Sequence, residues 1–269
     1  MSRDVEGRER DFFDRHYETG AWNPAGFELR VRRDLAALRR QAGGRRLGRV
    51  LSIGCGGGTF ECRLAAHAES VVGIDLSAEA VDHARERAAA LGLRNVEFRC
   101  QPLSDLDAED EFDGIVCIAF LHHVPAAELP ALLRRLRGQL RPGGFVFAQD
   151  PNRRGILRAL GRVVMGARYD RYHSPDEREL DPPEIARQLR DAGFDAVEIR
   201  GIDLALIAGH YLFPGAGAWL MQMFAAADRV FCATPLARFA SGFTAFAALA
   251  PSSADGASSV RGGPHPLGG

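Results

Sequence analysis

Val50-Leu51-Ser52-Ile53-Gly54-Cys55-Gly56-Gly57-Gly58-Thr59-Phe60 decides the fold of this chain. Residues 50–53 form a short apolar run of the kind that makes a buried strand. Gly54, Gly56 and Gly58 follow, and a turn that tight needs residues free of a Cβ. Phe60, Leu64, Ala65 and Ala68 then recur near one face, which predicts a helix over 59–69. Strand, glycine turn and helix start together make a cradle. Its backbone can approach a ligand closely, and the unpaired N–H groups of a helix's first turn attract an anion.

The glycine spacing separates two ligand classes. A dinucleotide fingerprint is G-x-G-x-x-G. Counting from Gly54, its third glycine would stand at Thr59, so the pattern here is G-x-G-x-G instead. A second apolar run, residues 71–74, ends in Asp75. An acid about 20 residues after the first glycine suits a ribose diol, because one carboxylate accepts from both hydroxyls.

Further pieces lie downstream: NVEF at 95–98, FDGIVCIAFLHHVP at 112–125 and LRGQLRPGGFVFAQDPN at 136–152. With VLSIGCGGG and VVGIDLS, these five motifs stand in the order and spacing of the class I S-adenosylmethionine-dependent methyltransferases, of the small-molecule, methyltransferase-11-like type. The chain resembles that family over roughly residues 48 to 202. The resemblance implies an α/β fold with a Rossmann-like seven-stranded sheet, parallel but for one antiparallel strand, and helices on both faces. It also implies S-adenosylmethionine as cofactor and S-adenosylhomocysteine as product.

The alternation of patterns agrees with such a sheet. Strands are predicted at 50–54, 71–75, 95–99, 113–118, 144–149 and 196–202, with 242–250 as the closing strand. Helices are predicted at 27–41, 59–69, 78–91, 126–139 and 182–193, the last capped by Asp181 with Pro182 at its first position. Residues 1–47 make N-terminal helices over the cofactor site, and 48–250 the methyltransferase domain. Apolar lid insertions fall at about 151–181 and 204–241, and the Ser/Gly/Pro-rich tail 251–269 is expected to be disordered.

Composition narrows the partners. The chain has 269 residues, 46% of them hydrophobic, and a net charge of −1, so no global field draws it to nucleic acid. Arginines crowd between Arg30 and Arg49, but no aromatic platform interleaves with them, which predicts a solvated helix face. Cys55, Cys62, Cys100, Cys117 and Cys232 form no C-x-x-C pair, so reduced cysteines and a cytoplasmic setting are expected. The charged N-terminus is no signal peptide. Residues 204–227 carry no formal charge, counting His210 as neutral, but Gly209, Pro214, Gly215 and Gly217 interrupt them, so no transmembrane span is expected. Trp219, Leu220, Met223, Phe224, Val230 and Phe231 fit one helix stripe: core, a homodimer interface through 204–231, or a wall of an apolar substrate pocket. Ile156, Leu157, Leu160, Val163 and Val164 form an apolar face beside Arg154, Arg158 and Arg162, which suits a surface helix or a lid that reaches an anion or a membrane surface.

The resemblance assigns the cofactor site residue by residue. The backbone of Gly54, Cys55, Gly56 and Gly58 holds the methionine end, and Asp75 the ribose hydroxyls. Leu76 packs on adenine, the Leu103 backbone meets its edge, and Cys117 and Ile118 line the sulfonium region. Tyr17 can close over the methionine end. Two positions depart from the family pattern. Ser52 stands where an acid is usual and Pro102 where Asp is frequent, each a loss of about 1 kcal/mol, or 1.5–3 for a charged partner. Methyl transfer is an in-line displacement that depends on alignment, helped by a general base when the acceptor is a hydroxyl or acidic carbon. The candidate bases are His122, His123, Asp150 and His173, and no tight ligand spacing predicts a metal. The leading expectation is methyl transfer to an apolar or aromatic small molecule. Cyclisation or rearrangement around a bound sulfonium, and a non-catalytic binding subunit, are the alternatives, with an RNA substrate disfavoured.

Overall fold

The computed structural model of the chain describes residues 7–10, 23–106, 111–165, 177–213 and 215–251, with backbone only at 161, 162, 164, 165 and 211. The part of the expected N-terminal cap that holds Tyr17, most of the lid after 165 with His173, and the tail beyond 251 lie outside these residues.

Seven strands form one sheet in the order β3-β2-β1-β4-β5-β7-β6. They are β1 (Leu47–Ile53), β2 (Ala68–Asp75), β3 (Val96–Cys100), β4 (Phe112–Ile118), β5 (Leu140–Pro151), β6 (Ala196–Ile202) and β7 (Gly242–Ala248). The pairs among β1 to β5 are parallel, and β7 runs antiparallel between β5 and β6. The helices are α1 (Pro24–Gln41), α2 (Thr59–Leu64), α3 (Ala78–Ala90), α4 (Leu129–Gly138), α5 (Ile156–Met165), α6 (Pro182–Asp191), α7 (Ala205–Leu212) and α8 (Ala218–Cys232).

Successive strand residues point to opposite faces, so each central strand feeds two cores. Leu51, Ile115 and Cys117 enter one, with Leu129, Leu133 and Leu136 of α4 and Ile185 and Leu189 of α6. Val50, Val116 and Phe147 enter the other, with Leu38 of α1 and Leu64 of α2. Helices therefore cover both faces, as a parallel sheet requires. β1 has β2 on one side and β4 on the other, so the chain reverses its direction of winding there. The crevice at the carboxyl ends of β1 and β4 is where such sheets bind ligands.

Three expectations change. The 59–69 helix is cut to six residues, because Ala68 already pairs with Leu47 at the start of β2. Asp181 caps α6 without a side-chain hydrogen bond; its carboxylate is held instead by Arg154 Nε and Nη2 at 2.5 and 3.0 Å. The uncharged run of 204–227 is two helices broken at 213–217, and Trp219, Met223 and Val230 are exposed while Met221 faces inward. Leu220, Phe224 and Phe231 of that stripe are half-buried, and none of the stripe lines the cavity at the carboxyl ends of β1 and β4. No helix among the described residues is long and apolar enough to cross a membrane.

The carboxylate of Asp228 in α8 starts α7. It accepts from the N–H groups of Leu204, Ala205 and Leu206 at 2.9, 2.5 and 3.1 Å, three donors that a helix start leaves without intrahelical partners.

Candidate functional site

A cavity of about 390 Å³ opens at the carboxyl ends of β1, β4 and β5. That lies within the roughly 300–1,000 Å³ of small-molecule sites. One end is the glycine loop, with Gly54, Cys55, Gly56 and Gly57 on its surface. Gly54, Gly56 and Gly58 all have positive φ, at 70°, 49° and 69°, where L side chains are strained. Their roles differ. A Cβ on Gly58 would fall 2.7 Å from the Phe98 ring and 2.8 Å from Ala84, so this glycine seats the loop on α3 and β3. A Cβ on Gly56 would meet nothing within 4 Å, which leaves its backbone bare to the cavity.

Asp75, at the end of β2, is tied to the same loop. Its Oδ2 accepts from Gly56 N–H at 2.8 Å and its Oδ1 from Ser77 N–H at 3.0 Å. The carboxylate is thereby fixed beside the glycine turn. Leu76 is half-buried, and Leu103 lies in a buried 3-10 turn after β3. Ile118 faces the cavity, whereas the Cys117 side chain, one residue earlier, is turned into the core and fully buried. Period-two alternation makes this unavoidable, so only the backbone of Cys117 remains for a ligand.

The two histidines after β4 are separated by the fold. β4 is followed by Ala119, whose φ of 53° turns the chain, and its N–H donates to the Gln149 carbonyl at 2.7 Å. That turn aims His122 at the cavity. His122 Nδ1 lies 2.8 Å from Asp150 Oδ1, and the same oxygen accepts from the His122 backbone N–H at 3.2 Å. Asp150 is wholly buried. Burial pushes its carboxyl well above the usual range, against the pull of backbone N–H groups at His122, Leu121 and Phe120 and of the nearby Arg178. With Nδ1 facing Asp150 Oδ1, Nε2 is the ring nitrogen left for the cavity side. Glu177 Oε1 is 3.7 Å from that nitrogen. His123 Nδ1 instead lies 3.0 Å from a carboxylate oxygen of Glu9.

His122, His123 and Glu177 nevertheless bring ligand-capable atoms within 4.8 Å of one another, enough to hold a cation. Only the tertiary fold assembles this group, so chain spacing showed no sign of it.

Sequence reasoning missed two parts of the site. The first is a charged wall. Asp203, with a φ of 62° at the junction of β6 and α7, accepts from Arg30 Nε at 3.0 Å and from Arg33 Nη1. Arg33 also pairs with Asp34 at 2.8 Å. Burial works against the charge on Asp203, but Arg30 and Arg33 outweigh it and hold the carboxyl at about 2. These arginines belong to the run read as a solvated face. Arg158 of α5 also reaches the cavity and donates through Nε to the Ser241 carbonyl at 2.8 Å, while Ile156, Leu160 and Val163 of the same helix are exposed. The substrate side is therefore lined by Arg30, Asp34, Asp203, Arg158 and His122, with Phe27, Phe60 and Ile207 as its apolar parts.

The second is Glu61 of α2, only 2% exposed. The Ser52 hydroxyl donates to its Oε1 at 2.6 Å. Burial pushes its carboxyl up to about 7, the Ser52 hydroxyl and its own N–H pulling the other way. The folded chain thus keeps a proton that the unfolded chain loses near 4.5. Stability from this group is full below that value and falls as pH rises toward the folded one, by about 3 kcal/mol in all. Urea unfolding at about pH 5 and about pH 8 should show this loss in the wild type and not in Glu61→Gln. Equal pH dependence of the two proteins would contradict it.

With this geometry in view, the relatives can be placed. Residues 50–144 match the family model described as a methyltransferase domain. A ubiquinone biosynthesis O-methyltransferase of Xylella fastidiosa (strain 9a5c) is 32% identical over 215 residues, covering 75% of this chain and 84% of that one. The corresponding enzyme of Xanthomonas axonopodis pv. citri (strain 306) is 35% identical over 163 residues, 57% of this chain. The match spans 65% of that enzyme's length, just under two thirds. Among solved structures, magnesium protoporphyrin IX methyltransferase from Synechocystis PCC 6803 with bound S-adenosylhomocysteine superposes with a TM-score of 0.62 at 19% identity, over 92% of this chain and 100% of that one. The [4+2]-cyclase SpnF gives 0.54 at 21% identity over 81% of each chain. Both share the fold.

Proposed function

The chain belongs to the class I S-adenosylmethionine-dependent methyltransferases, and from that premise we propose that it methylates a hydroxyl group on an aromatic small molecule. The observation that carries the acceptor chemistry is the His122–Asp150 pair at 2.8 Å, with His122 lining the cavity and Asp150 buried behind it. The cofactor's fit rests on the open space over Gly56, the fixed carboxylate of Asp75 and the buried acid of Glu61.

When bound, the cofactor supplies a methyl group on a positively charged sulfur. The chain's residues do the rest. Backbone of the glycine loop and Asp75 hold and orient the cofactor. Phe27, Phe60 and Ile207 offer a ring-sized apolar surface. His122 Nε2 takes the hydroxyl proton as the oxygen attacks, and Asp150 steadies the resulting imidazolium through Nδ1. A phenolic hydroxyl suits this base, since its proton is far more acidic than that of an aliphatic alcohol. The polar wall of Arg30, Asp203 and Arg158 favours an acceptor that carries further polar groups rather than a bare hydrocarbon. The relatives named for ubiquinone biosynthesis agree with an aromatic hydroxyl acceptor.

A second reading is favoured by the grouping of His122, His123 and Glu177. There a divalent cation would acidify the hydroxyl, and His122 would be a ligand in place of a base. Incubation with methyl-labelled S-adenosylmethionine and a panel of phenols and catechols tests both. Label on oxygen, undiminished by a chelator, supports the base. Label lost to the chelator and restored by a divalent ion supports the cation. Acceptors that isomerise without gaining label would contradict both.

A further inference from the structure

We propose that Glu61 anchors the α-ammonium group of the cofactor's amino-acid end, the position that an acid at residue 52 would otherwise serve. The proposal rests on the cofactor reading above and assigns that site a residue which the motif pattern does not mark.

Ser52 lies near the end of β1, two residues before Gly54, and is 1% exposed. Its hydroxyl is too short to reach a ligand across the loop. It donates instead to Glu61 Oε1 at 2.6 Å, and so fixes a carboxyl that arrives from α2 on the far side of the turn. The other oxygen, Oε2, is buried and has no hydrogen-bond partner among the described residues. Glu61 lines the cavity together with Gly54, Gly56 and Gly57. One oxygen is held and the other is left without a partner, in a residue that lines the cavity beside the glycine loop.

The surroundings ask for a cation. A carboxylate without a partner in a buried site is costly, and a ligand cation would offset that cost. Around it, Asp75 of β2 adds negative charge, and the Cys55 and Cys62 thiols are pushed up by burial and stay neutral. Arg87 of α3 is the positive group nearby, but its Nε is engaged with the Gly57 carbonyl at 2.9 Å. The amino-acid end of the cofactor carries one anionic and one cationic group. Glu61 is the acceptor for the second. Because burial keeps Glu61 protonated in the empty site up to near neutrality, an arriving ammonium drives its proton off.

Calorimetric titration with S-adenosylhomocysteine, and with its analogue in which hydrogen replaces the α-amino group, tests this. Wild type should prefer the amino compound by roughly 10–150-fold, the worth of one charged hydrogen bond. In Glu61→Gln that preference should collapse, with affinity for the deaminated analogue unchanged. Titration of the wild type near pH 6 in buffers of different ionisation enthalpy should show proton release on binding of the amino compound alone, a result that needs no variant to fold. Equal preference in wild type and Glu61→Gln, or binding without proton release, would overturn the role of Glu61 and leave the cofactor reading standing. A folded wild type that binds neither compound would overturn both.

Discussion

Glutamine in place of His122 is expected to lower methyl transfer by roughly 10²–10⁴-fold, the usual contribution of a positioned general base. Affinity for S-adenosylhomocysteine should stay within about two-fold, because the role proposed for the imidazole is toward the acceptor hydroxyl while the glycine loop and Asp75 hold the cofactor. Glutamine keeps the size and a hydrogen bond to Asp150 but cannot accept the substrate proton. Asp150→Asn should also slow the reaction, since an amide facing Nδ1 no longer stabilises the imidazolium. The double variant should be little worse than His122→Gln alone, because the two residues act as one unit. Single-turnover rates with saturating labelled cofactor would measure this. A His122→Gln protein of near wild-type rate would remove the base from the account. Activity that vanished together with cofactor binding would place His122 in the wrong part of the site.

Asp203→Ala should cost about 3–5 kcal/mol of stability, the range for breaking a buried ion pair by removing one partner. The substitution removes the carboxylate shared by the guanidinium groups of Arg30 and Arg33, which reach it from α1, and leaves Arg33 its pairing with Asp34. It also puts alanine at a φ of 62°, a conformation that Asp tolerates better. Asp203→Asn keeps the backbone preference and removes only the charge, so it should be the milder variant. The acid limb follows from the same group. Its folded value of about 2 lies below the ordinary 3.8, so its stabilisation is complete above the higher value and is lost as pH falls through the lower one. Urea unfolding of the three proteins near neutral pH measures the effect. A change under about 1 kcal/mol for Asp203→Ala would mean that the arginines are solvated after all.

The sheet was legible because its signals are local and repeated. Apolar runs, the glycine turn and Asp75 each mark a strand end, and their spacing alone places β1 at the point where the winding reverses. His122 and Asp150 were legible as candidates, since both follow strands at the ligand edge, but nothing local told His122 from His123. The turn at Ala119 and the pairing of His123 with Glu9 make that distinction. Glu61 was hidden because a glutamate early in a helix looks like an ordinary first-turn acid. Its significance appears only once Ser52 is seen to face it. The arginines of α1 misled for the reverse reason, since helical spacing shows which residues share a face and not which acid will meet them. Asp203 lies far along the chain from Arg30 and Arg33, beyond the reach of any periodicity. For the apolar stripe of α8 only the pocket-wall reading fails, for Trp219, Met223 and Val230 are on the outside, and the cavity takes only Ile207 from residues 204–231.

The central claim is that the glycine loop and Asp75 bind S-adenosylmethionine, and titration with S-adenosylhomocysteine beside Asp75→Ala tests it most directly. The account predicts micromolar binding by the wild type and a loss of roughly 10–150-fold in the variant, as expected for a charged acceptor facing the ribose hydroxyls. A folded wild type, shown by mass spectrometry to carry no ligand, that fails to bind would contradict the account, as would an Asp75→Ala protein that binds as tightly as the wild type.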